Sequence, residues 1–209
     1  MRAAPPPVDE ELARGGGFLS FISERDGNLE VYLIRASGGV PRRLTQRPGR
    51  DFNGPASPDG KQLLIMSVEE TPSRTQQSLY SLTLPEDLTR EGAPPVLRPL
   101  GPPRGVVRHP TWIDGGRRVI FEGDSAGYRD LFSIGSDGRG LRQLTSNPEG
   151  NFEPAPSPVD DAIVFVSSRD RAAELYRAHR DGSASQRLTN TARDEWSPRF
   201  SADGKRILT

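Results

Sequence analysis

The chain has 209 residues, with 28 basic and 28 acidic side chains, two histidines and no cysteine. The balanced charge excludes a general field favouring nucleic acid or an acidic membrane, and the lack of cysteine excludes disulfides and thiolate chemistry while leaving the redox compartment open. With 22 glycines, 20 prolines and 33% hydrophobic residues, the composition argues against long helices and suits many short strands joined by tight turns. Lys61 and Lys205 are the only lysines, an arginine bias that reads as a GC-rich, bacterial genome.

Residues 1–16, MRAAPPPVDEELARGG, read as a Pro-rich tail or linker. They lack the apolar middle of a signal peptide, so the expectation is either a cytoplasmic protein or a chain without its natural start. Residues 17–209 read as repeats, incomplete at the C-terminus, and no stretch is long enough to span a membrane. Each unit has an apolar strand position, then an aromatic, then a leucine. The first holds Phe21, Tyr32 and Leu44, and the second Ile65, Tyr80 and Leu100. The third holds Phe121, Phe132 and Leu144, and the fourth Phe165, Tyr176 and Leu188.

The last three leucines are spaced by 44 residues, whereas Leu44 and Leu100 are 56 apart. The excess is expected as loop elaborations within VEETPSRTQQS and TLPEDLTREGAPPVLRP. Beyond each leucine, Ala56, Trp112, Pro156 and Phe200 stand in the middle of turn-forming segments such as GPASPDG. A period in the forties with several short strands per unit is the sign of propeller blades.

The third unit shows the expected plan. Residues 117–122 form a strand and 128–134 a second. Ser136-Asp137-Gly138 makes a hairpin turn, since Asp-Gly tolerates the positive φ such turns need. Leu141–Thr145 is the outer strand, and Phe152–Pro156 begins the innermost strand of the next unit. Read along the chain, this predicts an all-β protein of three strands, then three sets of four, then two.

Two segments, LIRASGGVPRRLTQRPGRDFNGPASPDGKQLLI and RDGSASQRLTNTARDEWSPRFSADGKRIL, resemble the TolB-type propeller repeat, also described as WD40-like. The resemblance covers residues 17–209 and implies a six-bladed β-propeller of four-stranded antiparallel blades, of which four to five are legible here. Ala56 and Pro156 stand where the repeat has tryptophan, and Pro158-Val159-Asp160-Asp161 loses the Asp-Gly. Looser turns are expected in those two units. The alternative is a four-blade ring, closed when the strand near Glu195–Phe200 completes the first blade.

The resemblance implies a non-enzymatic scaffold, a monomer that binds another protein in the bacterial periplasm or cell envelope. The alternative it implies is the non-catalytic propeller of a prolyl oligopeptidase-type serine peptidase whose hydrolase domain lies outside these residues. Gly123-Asp124-Ser125-Ala126-Gly127 matches the nucleophile elbow, but an elbow needs a strand, a sharp turn and a helix, and Tyr128–Ile134 alternates as a strand. Two histidines without cysteine argue against a zinc site, and no calcium loop or phosphate loop is evident. No cofactor or metal is expected. Arg42, Arg98 and Arg142, a recurring basic position, read as solvated residues of outer strands that protect edges.

The expected partner-binding surface is the rim of the central channel. Phe52, Arg108, Phe152 and Trp196 share one register, preceded by Asp51, Asn151 and Glu195 and, in the third unit, followed by His109. Large aromatics and an arginine where a loop enters a strand are the residue types that dominate interfaces.

Overall fold

A computed structural model describes residues 16–84, 95–101, 105–125 and 127–209. The expected tail and most of the second elaboration of the second unit lie outside these residues. The strands divide as the repeat predicts. The first sheet is β1 (Phe18–Ser23), β2 (Glu30–Arg35) and β3 (Arg42–Arg43). The second is β4 (Arg50–Ala56), β5 (Gln62–Thr71), β6 (Arg74–Thr83) and β7 (Leu97–Pro99). The third is β8 (Val107–Ile113), β9 (Arg118–Ser125), β10 (Tyr128–Gly135) and β11 (Arg142–Gln143). The fourth is β12 (Asn151–Pro156), β13 (Ala162–Asp170), β14 (Ala172–His179) and β15 (Gln186–Arg187), and β16 (Arg199–Phe200) with β17 (Ile207–Leu208) begins a fifth. All pairings are antiparallel, and the one helical element among the described residues is a 3-10 turn at Asp114–Gly116.

The repeat register is a register of contacts. Tyr32 pairs with Phe21, Tyr80 with Ile65, Phe132 with Phe121 and Tyr176 with Phe165. The backbone N–H groups of Leu44, Leu100, Leu144 and Leu188 each donate to the carbonyl of the residue just before that pair's aromatic, at Val31, Leu79, Leu131 and Leu175. Because side chains alternate along a strand, each sheet presents two apolar faces, and each face meets a different neighbour. Leu63 and Ile65 pack against Val31 and Leu33 of the first sheet, while Leu64 packs with Trp112, Val119 and Phe121 of the third. Ile120 and Leu131 turn the other way, onto Ile163, Phe165 and Tyr176 of the fourth. The core is therefore a series of slabs between successive sheets, which sheets this small need because none buries its faces alone. Leu44 and Leu100 are wholly inside such slabs, whereas Leu188, which follows the last complete sheet, is 41% exposed.

Five details differ from the sequence reading. The first excess in the second unit is not a loop, since β5 and β6 each extend to ten residues around a turn at Pro72-Ser73. Ala56, Trp112, Pro156 and Phe200 are strand residues, and the turns start after them. The outer strand of the third unit shrinks to Arg142–Gln143. The turn without Asp-Gly is as tight as its relatives. Ser157 N–H donates to Ala162 at 2.8 Å, as Ser57 does to Gln62 at 2.8 Å and Ser201 to Arg206 at 2.9 Å. In that turn the Ser157 hydroxyl also accepts from the N–H groups of Val159 and Asp160, which holds it without the glycine. The four-blade closure is not formed among the described residues: β16 pairs with β17, and β1 pairs with β2.

Candidate functional site: the mouth of the central channel

The first strands of successive sheets converge, β4 beside β8, β8 beside β12 and β12 beside β16. A cavity of about 440 Å³ opens between them, with Pro55, Pro110, Pro154 and Pro156 in its wall. Proline fits there because the inner edge of a first strand has no partner and its N–H is not needed by the ladder.

Each complete first strand also carries a bulge. Its register against the second strand shifts between Asn53 and Ala56, between Arg108 and Thr111, and between Phe152 and Ala155. At the bulge His109 and Glu153 adopt positive φ of 46° and 51°, and Ser197 matches them at 56° in the fifth sheet. Non-glycine residues hold this conformation only when their surroundings fix it. The fixing contacts are carboxylates. Glu122, wholly buried, accepts the Glu153 N–H at 2.8 Å, and the Glu153 carboxylate accepts the Ser197 N–H at 2.5 Å.

Glu122 is the centre of this arrangement. His109 Nδ1 lies 2.6 Å from its Oε1, and Arg129 Nη1 donates to Oε2 at 3.3 Å. Each oxygen therefore has a cationic or ring-nitrogen neighbour, which is how a buried carboxylate offsets its lost hydration. The Arg129 guanidinium also covers the Phe152 ring at 4.4 Å, and Phe152 leans on Trp196 at 5.9 Å between centroids. His109 Nε2 stands 3.9 Å from the Glu153 carboxylate. A continuous chain of contacts thus runs across the mouth from His109 through Glu122 and Arg129 to Phe152 and Trp196.

The rim residues expected from sequence are sorted by this geometry. Arg108 and His109 are exposed, Trp196 is 43% exposed, and Phe52 and Glu195 are half-buried. Phe152 is buried beneath Arg129 and Trp196. Asp51 and Asn151 do not reach the rim. They are wholly buried at the junctions between sheets, because the residue beside an outward-facing one on a strand points the other way. Glu195 is occupied with the Thr191 and Thr209 hydroxyls.

Glu122 and Arg129 were not singled out by the sequence. A signal for Glu122 existed: the equivalent position after the repeat's apolar anchor is Ile22, Met66 and Val166 in the other units, so a carboxylate there breaks an apolar column. Chemically the site is a preorganised polar surface. His109 faces two carboxylates, Glu122 through Nδ1 and Glu153 through Nε2. At the Gly123–Gly127 motif, β9 ends at Ser125 opposite Tyr128 of β10, a hairpin rather than the strand, turn and helix of an elbow.

Radially packed four-stranded antiparallel sheets around a proline-walled channel define a β-propeller. The chain belongs to the TolB beta propeller domain family, whose match spans residues 98–209. It is 27% identical over 158 residues to a protein TolB homolog of Chlorobium luteolum, covering 74% of this chain and 32% of that protein. It is also 28% identical over 213 residues to tricorn protease homolog 1 of Streptomyces coelicolor, covering 97% of this chain and 19% of that protein. In fold it resembles the crystal structure of TolB from Acinetobacter baumannii, with a TM-score of 0.68 at 18% identity, covering 91% of this chain and 46% of the other. The chain thus spans about half or less of the length of these relatives.

Proposed function

We propose that the chain is a non-enzymatic propeller scaffold that binds another protein at the channel mouth, working as a monomer in the bacterial cell envelope. The observation that carries this reading is the exposed set Arg108, His109 and Trp196, the first two on β8 and the third in the segment that leads into β16, beside the Glu122 cluster. Aromatic and arginine side chains held in place before binding lose little entropy on association. The similarity to a Tol-Pal system protein TolB of Wolinella succinogenes, 28% identical over 178 residues, supports an envelope setting.

Titration of the purified chain against the Pal component of a Tol-Pal system tests the reading. Binding that weakens at least tenfold in Trp196→Ala, with the melting temperature nearly unchanged, within a few degrees of wild type, is the expected result. Equal affinity of wild type and variant would remove the mouth as the site.

A second reading has its own support, in the match to a tricorn protease homolog over nearly the whole chain and in the similarity to peptidase YuxL of Bacillus subtilis, 24% identical over 181 residues. In that reading the propeller gates a hydrolase domain encoded elsewhere in the same reading frame. A hydrolase domain after Thr209 in the parent gene selects it. The chain itself is expected to remain unlabelled by a fluorophosphonate probe.

A further inference from the structure

Glu30, Asp130 and Glu174 occupy one repeat position on β2, β10 and β14, and all three are buried. Each accepts a hydrogen bond from a threonine hydroxyl, Thr45, Thr145 and Thr189 respectively. At the junction of the third and fourth sheets, Asn151 completes the arrangement. Its Nδ2 donates to Asp130 Oδ1 at 2.7 Å, and its Oδ1 accepts from Arg169 Nη2 at 3.2 Å.

At the junction of the first and second sheets the same register holds Asp51 against Glu30. Asp51 is 0% exposed, and neither carboxylate oxygen has a hydrogen-bond partner among the described residues. Arg47 Nε, 3.9 Å away, likewise has no hydrogen-bond partner, and the Ser67 hydroxyl lies near enough to pull on the Asp51 carboxyl but outside good hydrogen-bond geometry. The Arg47 guanidinium is turned instead to Glu69 at 2.9 Å and to the Tyr80 hydroxyl at 2.8 Å. Glu30 is well supplied, with Arg43 at 2.8 Å, the Arg47 N–H at 3.1 Å and the Thr45 hydroxyl.

We propose that Asp51 is a neutral carboxylic acid in the folded protein, its proton directed toward Glu30, so that this one junction between sheets tightens in mild acid. A protonated Asp51 reproduces Asn151: its O–H donates to Glu30 as the amide does to Asp130, and its carbonyl faces Arg47 as the amide oxygen faces Arg169. Two ionised carboxylates in one buried place would repel without hydration to offset the cost.

Asp51 is acted on by Glu30 on β2, Thr45 and Arg47 in the loop after β3 and Ser67 on β5, while Arg43 on β3 holds Glu30 and Glu69 on β5 and Tyr80 on β6 hold Arg47. Burial pushes the Asp51 carboxyl above the usual range and the Glu30 charge adds to it, against the pull of Ser67, Arg47 and Thr45. A group raised in the folded state stabilises most below its unfolded value, and that stability is lost as pH rises through the folded value.

Thermal melts of wild type, Asp51→Asn and Asn151→Asp between about pH 5 and about pH 8 test this, spanning the range above the ordinary aspartate value. Asp51→Asn is expected to melt at or above wild type at the upper end, with the advantage closing toward the lower end. Asn151→Asp, which installs the same pair at the other junction, should melt below wild type at the upper end and recover as pH falls. Difference infrared spectra should show a protonated carboxyl stretch in wild type that vanishes in Asp51→Asn. An Asp51→Asn protein that fails to fold, or that melts below wild type by the same amount at every pH, overturns the proposal, because the ionised acid would then be the form that Arg47 requires.

Discussion

The slabs between sheets and the bulges at the channel are made by the same strands, yet they follow different rules. Between sheets, every unit repeats one solution. Phe21, Ile65, Phe121 and Phe165 each lie opposite an aromatic on the next strand, at one register. At the channel, one register position holds Asn53, His109, Glu153 and Ser197, four chemistries, within a bulge in the three complete first strands and just ahead of β16 in the fifth sheet. Packing density tolerates little variation in the slabs. The channel edge carries no such constraint, so its side chains are free to specialise. What differs among units whose backbones match is the place to look for a partner.

The comparison breaks first at the slabs. Phe165→Ala empties a fully buried site stacked on Tyr176 and is expected to cost about 3–5 kcal/mol by denaturant unfolding. A cost near that of a surface substitution would mean that the slabs do not hold the sheets together.

Glu122→Ala comes next. It leaves the Glu153 N–H without its acceptor while His109 and Arg129, both partly exposed, regain water, so about 1–3 kcal/mol is expected, most of it from the stranded N–H. Glu122→Gln should recover part of this, keeping an acceptor for the N–H while losing the charge. Equal loss in both variants would reduce the network to packing.

The outer clamp sharpens the comparison through pH. Burial pushes Glu174 up, but the Thr189 hydroxyl, the Thr191 N–H and Arg187 together hold its carboxyl below the usual range. A depressed carboxyl contributes stability that is present above its unfolded value and lost as pH falls through the lower folded value. Thr189→Val should cost about 1 kcal/mol at neutral pH, with the difference narrowing in acid. A gap that widens in acid would reverse the sign and remove the clamp.

Trp196→Ala is the smallest. With 43% of its surface exposed, it should cost about 1 kcal/mol or less in stability while weakening partner binding. A loss of several kcal/mol would class Trp196 with the slabs rather than with the rim.

The sequence by itself determined the propeller class, the number of strands per unit and the contact register, because period and alternation are local properties that survive in one dimension. The equivalence of Leu44, Leu100, Leu144 and Leu188 was legible from spacing, and it reappears as four matching backbone hydrogen bonds. Only the tertiary structure decided which rim residues face solvent. Asp51 and Asn151 looked like companions of Phe52 and Phe152, but a one-residue step on a strand reverses direction, and the bulges that follow alter the alternation further on. Glu122 and Arg129 join His109 within the third sheet and reach Glu153 of the fourth, and although the break in the apolar column marks Glu122, the sequence does not record that these four meet. The extension of β5 and β6 was likewise undecided by sequence, since added residues in a hairpin lengthen either the loop or the strands, and which one wins depends on whether the new pairs find partners across the ladder.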